Sequence, residues 1–338
     1  RFINIGVALL ALFLVFFLGK YIGSWLNNSR IVTWLYLLPI SIFFSGQNEI
    51  FRVWANRKRK YKIMSYNAIL TAVLVPVVSI SVGVINNGPL GLFLGLLISQ
   101  ILPPLVLMLA LTRNDNLGFK FINLEVIKRK AKEYYTFPLY SLPSEFVNKF
   151  TNQLPVFIIS AFVGPAAVGV YNLTSKMLGL PVSIIGGAIT EVFKQKAVSD
   201  YIEINSYNNI FKKTLYFLAS LVIMPILVIV FYGPKIFSFI FGDQWLDSGI
   251  LAQFLVFYFM VKFIVSPLSY SVVISNKLHV GLLKNCLTAT IIYIVLYFGF
   301  RLGYNYKYVL GVFGFVYAAL DLIYLIYLSR LSKIKKVV

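Results

Sequence analysis

About ten long apolar segments, each near 20 residues, make up most of the chain, and they restrict its fold more than any other feature. A helix needs about 20 mostly apolar residues to cross a bilayer. The segments span residues 2–18, 31–51, 65–86, 89–111, 137–163, 168–192, 211–231, 248–275, 281–300 and 306–329. Because they lack the short alternating strands of a membrane barrel, we predict an all-α integral membrane protein.

The composition agrees with this prediction. Hydrophobic residues make up 59% of the chain and charged residues 12%, whereas soluble domains are about 45–50% apolar. The 31 basic and 11 acidic residues give a net charge of +20, and the basic residues cluster at segment ends. This distribution indicates membrane topology, and we expect no nucleic-acid partner.

Lysine and arginine in the connections predict the orientation, because cytoplasmic loops are enriched in them. Alternate connections are basic, whereas those at 85–90 and 162–169 contain no Lys or Arg. Lys20 and Arg30 on the outer side and the thinly basic connection at 271–280 are exceptions that weaken the pattern without reversing it. The basic connections and tail carry Arg52, Arg57, Lys58, Arg59, Lys60, Lys62, Arg113, Lys120, Lys128, Arg129, Lys130, Lys132, Lys194, Lys196, Arg330, Lys333, Lys335 and Lys336. We therefore predict a multi-pass protein of the inner (plasma) membrane with both ends of this chain in the cytoplasm.

The connection at 112–136 divides the chain. It contains "NLEVIKRKAKEYY", in which Val126, Ile127 and Ala131 share one helical face opposite basic residues. This pattern is typical of an interfacial amphipathic helix. We predict an N-terminal transmembrane lobe at 1–111, a cytoplasmic linker at 112–136 and a six-helix C-terminal lobe at 137–338.

The common sequence motifs of hydrolytic enzymes are missing from the sequence. It contains no Walker A motif, no GxSxG and no HExxH, and its only cysteine and histidine are Cys286 and His279. These absences argue against an ATP-hydrolysing subunit and the commoner hydrolases. We expect no catalytic residue, no metal site and no cofactor.

Four stretches carry a family resemblance. Residues 152–197, "NQLPVFIISAFVGPAAVGVYNLTSKMLGLPVSIIGGAITEVFKQKA", resemble the start of the C-terminal lobe of Wzx-type polysaccharide flippases. These flippases belong to the multidrug/oligosaccharidyl-lipid/polysaccharide exporter superfamily. "WANRKRKYK" at 54–62 is similar to their basic N-lobe loop, and "FGDQWLDSGILAQFLVFYFMVKFIVSPLS" at 241–269 to an extracellular loop and span. Residues 111–140 fit the linker between the lobes.

The resemblance implies twelve spans in two six-span lobes, of which this chain would lack the first two. It implies a flippase that moves undecaprenyl-diphosphate-linked oligosaccharide across the cytoplasmic membrane by alternating access, for O-antigen, capsule or exopolysaccharide biosynthesis. The implied partners are that substrate, membrane lipids, and a polysaccharide polymerase and glycosyltransferases of the same pathway. The alternatives are another superfamily exporter, for drugs or peptidoglycan precursor, or a membrane polysaccharide polymerase or ligase.

Three lysines stand at similar depth in the predicted C-terminal lobe. If the fifth and sixth spans turn near Gly164, Lys149 and Lys176 lie about 22 and 17 Å below that turn. Lys262, in the eighth span, falls at about 21 Å. Three ammonium groups at one depth are tolerated where water or an anion shares the space. We predict that these lysines bind the diphosphate and that the neighbouring Asn148, Asn152 and Gln153 bind sugar hydroxyls.

Other roles for these residues remain open. Glu145 precedes Lys149 by four residues, in the order that favours a helical ion pair, and a misplaced span end would also explain Lys149. Lys262 has no acidic residue within a helical turn, so it requires a wet cavity or a partner on another helix, such as Asp321. The candidates for coupling or gating are Glu145, Glu49, Arg52, Glu191 and Asp321. Glu49 with Arg52, and Glu191 with Lys194, are also spaced for simple i,i+3 pairs.

Overall fold

The computed structural model describes residues 2–25, 30–58, 60–85, 90–114 and 124–333. Over these ranges the chain is helical and contains no strand. The α-helices are α1 (Phe2–Trp25), α2 (Arg30–Leu35), α3 (Leu38–Arg57), α4 (Tyr61–Ile85), α5 (Leu90–Asn114), α6 (Leu124–Glu133), α7 (Leu142–Phe162), α8 (Pro165–Ile204), α9 (Asn208–Phe241), α10 (Leu246–Leu268), α11 (Ser271–Ile274), α12 (Leu278–Arg301) and α13 (Tyr306–Leu331). A π-helical turn, Phe137–Ser141, precedes α7, and a 3₁₀ turn, Asp243–Trp245, precedes α10.

The predicted all-α class is confirmed, and most predicted spans correspond to one long helix, although 31–51 is divided between α2 and α3 and 248–275 between α10 and α11. Within the described ranges, eight helices are long and apolar enough to cross a membrane. The other two long helices, α3 and α7, carry polar groups along their length, such as Glu49 in α3 and Asn148 in α7. Asn148 of α7 lines a polar cavity, so that helix does not need to be apolar all round.

Two predicted boundaries were wrong for reasons of proline chemistry. The predicted span 31–51 is broken into α2 and α3, and Pro39 stands in the first turn of α3, where a proline is best tolerated. The connection left between the predicted spans 211–231 and 248–275 is much shorter than expected, because α9 continues through Pro234 to Phe241. Membrane helices tolerate internal proline when neighbouring groups satisfy the freed carbonyl.

The first of two compact units comprises residues 1–123, and the division falls within the predicted linker. In its described part, α5 packs on α4 and α3, and α3 also packs on α1. A small buried cluster joins Phe51 and Ala55 of α3 to Leu107 and Leu111 of α5. Polar contacts join α3 to both neighbours: Asn67 of α4 donates to Asn48 Oδ1 at 3.0 Å, and Ser41 of α3 donates to Gln100 of α5.

The second unit comprises residues 124–338 and is built around α10. This helix packs against α8, α9 and α13, while α12 packs against α7 and α13. Fourteen of the 23 residues of α10 are buried, as expected of a helix that is apolar around most of its circumference. Lys262 is its only charged residue beyond the first turn. The most enclosed helix of the unit therefore carries an isolated ammonium.

The predicted amphipathic segment forms α6. Lys130 donates to Glu133 at 2.7 Å on its exposed surface. This hydrogen bond raises the pKa of Lys130 and lowers the pKa of Glu133. The side chains of Val126 and Ile127, together with Arg59, Lys120, Lys335 and Lys336 of the predicted basic connections, lie outside the described residues.

The crossing of α9 and α10 depends on two glycines. A Cβ added to Gly249 would lie 2.5 Å from Pro234 Cα and 2.6 Å from the Gly233 carbonyl oxygen. Small residues at such crossings allow two helix backbones to approach closely. Because the blocking atoms belong to the backbone, they cannot move aside as a flexible side chain would.

Gly249→Ala should therefore lower the free energy of unfolding by roughly 1–3 kcal/mol, the usual cost of overpacking. The measurement is the thermal unfolding midpoint of the purified protein in detergent. Gly187→Ala is the matched control, because a Cβ there meets no atom within 4 Å and alanine favours the helix. Equal midpoints for the two variants would contradict the tight crossing.

Candidate functional site

A polar cavity of about 280 Å³ lies within the second unit. It is at the end of the bundle where α7 and α12 begin and where α10 and α13 end. Its polar and charged lining residues are Ser141, Ser144, Glu145, Asn148, Thr190, Lys262, Ser266, Ser269, Lys284, Asn285 and Asp321, and three tyrosines, Tyr270, Tyr317 and Tyr324, complete the polar part of the wall. A pocket of this polarity among apolar helices is the main candidate for ligand binding.

Lys262 is half-buried in the cavity wall and is held by neutral groups. Its ammonium donates to Asn152 Oδ1 at 2.7 Å and to the Tyr258 hydroxyl at 3.0 Å. The Tyr258 and Tyr317 rings lie 5.2 and 5.7 Å from Lys262 Nζ, within the range of cation–π contacts. Of the two alternatives for Lys262, the structure shows the cavity, because Asp321 pairs with another residue. The positive charge of Lys262 is therefore stabilised by neutral protein groups, and no carboxylate among the described residues neutralises it.

The partner of Asp321 is Lys284, one helix away. Lys284 Nζ lies 2.7 Å from Asp321 Oδ1, and only 18% and 5% of the two side chains are exposed. The contact is ionic, since that oxygen receives no hydrogen bond of good geometry. Tyr317 and Tyr324 flank the ammonium, with ring centroids 5.7 and 5.2 Å away. The pair ties α12 to α13 and cancels two of the charges in the cavity wall.

A second tether joins α7 to α12. The Asn285 side-chain amide donates to the Ser144 carbonyl at 3.1 Å and to the Ser144 hydroxyl at 2.9 Å. Directly after Ser144, Glu145 lines the cavity and remains exposed. The cavity thus presents one carboxylate and one ammonium, Glu145 and Lys262, beside the neutralised pair.

The structure brings together only some of the predicted substrate-binding residues. Asn148 and Lys262 line the cavity, and Asn152 contacts Lys262. The other three predicted residues, Lys149, Lys176 and Gln153, are exposed and absent from the cavity wall. The expected group of three lysines is replaced by two lysines, Lys262 and Lys284, together with two carboxylates. Lys149 follows Asn148 directly, so it projects about 100° away around the helix axis.

The predicted ion pairs had mixed outcomes. Glu49 and Arg52 form the i,i+3 pair at 2.7 Å, with both side chains exposed. Over the described ranges, Glu145 forms no ion pair with Lys149, and Glu191 forms none with Lys194. Lys194 instead places its ammonium 5.0 Å from the centre of the Tyr270 ring.

Sequence reasoning missed Lys284, Asn285 and the tyrosines. Lys284 lies near the start of α12, where a lysine is readily interpreted as a topology anchor. A signal was available, because an aspartate inside an apolar span requires a cationic partner at similar depth. The three tyrosines could not be singled out from the sequence, because the chain contains 22 tyrosines.

The side chains of the cavity are suited to binding a polar ligand. Its ammonium groups, amides and hydroxyls can hold phosphate oxygens and sugar hydroxyls. Within the part of the chain that the structure describes, no three His, Cys, Asp or Glu side chains gather as metal ligands would.

Comparisons with known proteins identify the family of the chain. The sequence profile of a family described as polysaccharide biosynthesis protein matches residues 2–250. The teichuronic acid biosynthesis protein TuaB of Bacillus subtilis (strain 168) is 24% identical over 144 residues. That alignment covers 41% of this chain and 29% of TuaB, less than a third of the relative's length.

Two solved structures share the fold. The lipid II flippase MurJ, in an inward closed conformation, superposes with a TM-score of 0.70 at 15% identity, covering 98% of this chain and 74% of MurJ. A MATE protein in a bent conformation superposes with a TM-score of 0.57 at 14% identity, covering 98% of this chain and 79% of the other. At sequence identities this low, the similarity shows a shared fold only.

The resemblance to Wzx-type polysaccharide flippases is confirmed by the family match together with the shared fold. The family profile covers well over half of the residues. The chain therefore belongs to the polysaccharide biosynthesis protein family, as a multi-pass membrane protein that shares its fold with the MurJ and MATE structures.

Proposed function

We propose that this protein is a flippase for undecaprenyl-diphosphate-linked oligosaccharide in the inner (plasma) membrane, working by alternating access in surface polysaccharide biosynthesis. The observation that carries the proposal is the half-buried Lys262 ammonium, which faces a polar cavity and is held by neutral oxygens. An uncompensated cation inside a membrane bundle requires an anion or water, and a diphosphate is such an anion.

The orientation of the cavity supports loading from the cytoplasm. Its lining comes from the start of α7, which follows the basic helix α6, and from the half of α13 nearer the basic C-terminal end. Basic flanks mark the cytoplasmic side of a membrane helix. On this reading the chain ends face the cytoplasm, where glycosyltransferases assemble the lipid-linked substrate, and a polymerase acts on it after transport.

One observation favours a second candidate, an exporter of organic cations. Glu145 is a cavity carboxylate with no ion-pair partner among the residues described, and carboxylates attract cations. Lys262 opposes this function, because an uncompensated ammonium in the same wall repels a cation. The transport assay below separates the two candidates.

Proteoliposomes containing the full-length protein should accelerate movement of a fluorescent undecaprenyl-diphosphate oligosaccharide between leaflets by at least about tenfold, or about 1.4 kcal/mol of barrier. A membrane-impermeant quencher measures the fraction that has crossed. Protein-free liposomes provide the background rate, and ethidium provides the organic-cation probe. Transport of ethidium without transport of the oligosaccharide would assign the protein to cation export instead.

A further inference from the structure

A line of polar residues on α7 runs along the cavity. Glu145, Asn148 and Asn152 are three and four residues apart, so they lie on one face of the helix. Glu145 and Asn148 line the cavity, and Asn152 holds the Lys262 ammonium at 2.7 Å. Over these seven residues the helix rises about 10 Å. A carboxylate and an ammonium thus mark two ends of one binding surface.

These two charges are the uncompensated ones of the cavity wall. Lys284 and Asp321 neutralise each other across 2.7 Å. Lys262 contacts only neutral oxygens, and Glu145 has no ion pair in the portion of the chain described. The cavity is therefore polarised, with its negative end at the start of α7 and its positive end deeper in the bundle.

The space between the two charges is lined by neutral polar groups and tyrosine rings. Ser144, Asn148 and Asn285 supply hydroxyl and amide groups, while Tyr317 and Tyr324 supply flat apolar faces. With a volume of about 280 Å³, the cavity is at the small end of the range for ligand sites. These dimensions and groups suit a single saccharide unit, whose hydroxyls require polar partners and whose C–H faces require apolar ones.

We propose that this cavity binds the sugar nearest the phosphate of the lipid-linked glycan and discriminates against a sugar that carries a carboxylate. The adjacent phosphate oxygen contacts Lys262, and a hydroxyl or amino group of the sugar donates to Glu145. An ionised carboxylate only accepts hydrogen bonds, so Glu145 selects donors and repels a second carboxylate. This inference rests on the proposed flippase function. It adds that the bound sugar carries no carboxylate and that Glu145 is the residue that selects it.

Binding of three soluble probes to the full-length protein in detergent tests this assignment by calorimetry. The probes are farnesyl diphosphate, its N-acetylglucosamine conjugate and its glucuronic acid conjugate. The N-acetylglucosamine conjugate should bind about tenfold more tightly than the glucuronic acid conjugate. In Glu145→Gln the ratio should fall towards one, chiefly because the glucuronic acid conjugate binds better. Glu203→Gln, an exposed carboxylate outside the cavity wall, should preserve the ratio.

The possible failures of this experiment have different meanings. Equal affinities for the two sugar conjugates in the unaltered protein, or a ratio that survives in Glu145→Gln, would overturn the sugar assignment and leave the flippase proposal standing. If none of the three probes binds, including farnesyl diphosphate itself, the proposed function and the sugar assignment both fall.

Discussion

Lys262→Met should reduce transport of the lipid-linked oligosaccharide by about 10- to 100-fold. Methionine keeps the apolar stem of the lysine but removes the charge, and a hydrogen bond to a charged group contributes about 1.5–3 kcal/mol. Folding should survive, because the Tyr258 hydroxyl lies 3.4 Å from Asn152 Oδ1 and can donate to it when the ammonium is gone. The readout is the proteoliposome assay, with the rate divided by the amount of inserted protein.

Lys235→Met is the control for this variant. Lys235 is an exposed lysine of α9 outside the cavity wall, so its loss should leave the transport rate unchanged. Lys262→Arg should retain part of the activity because it keeps the positive charge. The activity should not be complete, since the planar guanidinium group is larger than the compact ammonium that it replaces. A normal rate for Lys262→Met at normal protein level would remove Lys262 from substrate binding.

The contrast between Lys262 and Lys149 illustrates what the sequence could not specify. Polar residues in apolar segments are visible in the sequence, and their depth follows from the helical rise. The direction in which each side chain points depends on helix rotation, which packing against neighbouring helices decides. Lys149 and Asn148 are adjacent in sequence, yet only Asn148 lines the cavity. Depth alone was therefore a poor guide to which lysines share a site.

The helices themselves were largely predictable, since the length and hydropathy of a segment decide whether it spans a bilayer. Two of the boundary errors involve prolines, whose effect depends on position: Pro39 stands in the first turn of a helix, whereas α9 passes through Pro234. The charge balance of the cavity was not predictable either. It arises because Lys284 of α12 and Asp321 of α13 meet in space, although they are 37 positions apart in the sequence.

Lys284→Met should destabilise the protein strongly, by about 3–5 kcal/mol, because it leaves the Asp321 carboxylate without its counter-charge in a site where only 5% of that side chain is exposed. Removing both charges together often costs little. The attraction between the two ions is lost, but so is the free-energy cost of burying them away from water. The double variant Lys284→Met, Asp321→Asn should therefore recover most of the lost stability. The measurement is the thermal unfolding midpoint of the full-length protein in detergent.

The ion pair between Lys307 and Asp247 provides an internal comparison for this experiment. Its charges lie 2.6 Å apart, but 49% of the Asp247 side chain is exposed, so water can solvate the carboxylate when its partner is lost. Lys307→Met should therefore cost no more than about 1 kcal/mol, as expected of a solvent-exposed pair. If Lys307→Met and Lys284→Met lower the midpoint equally, burial is not what makes the cavity pair costly to break. If the double variant is no more stable than Lys284→Met, the two charges are not coupled, and Asp321 must be neutralised by something other than Lys284.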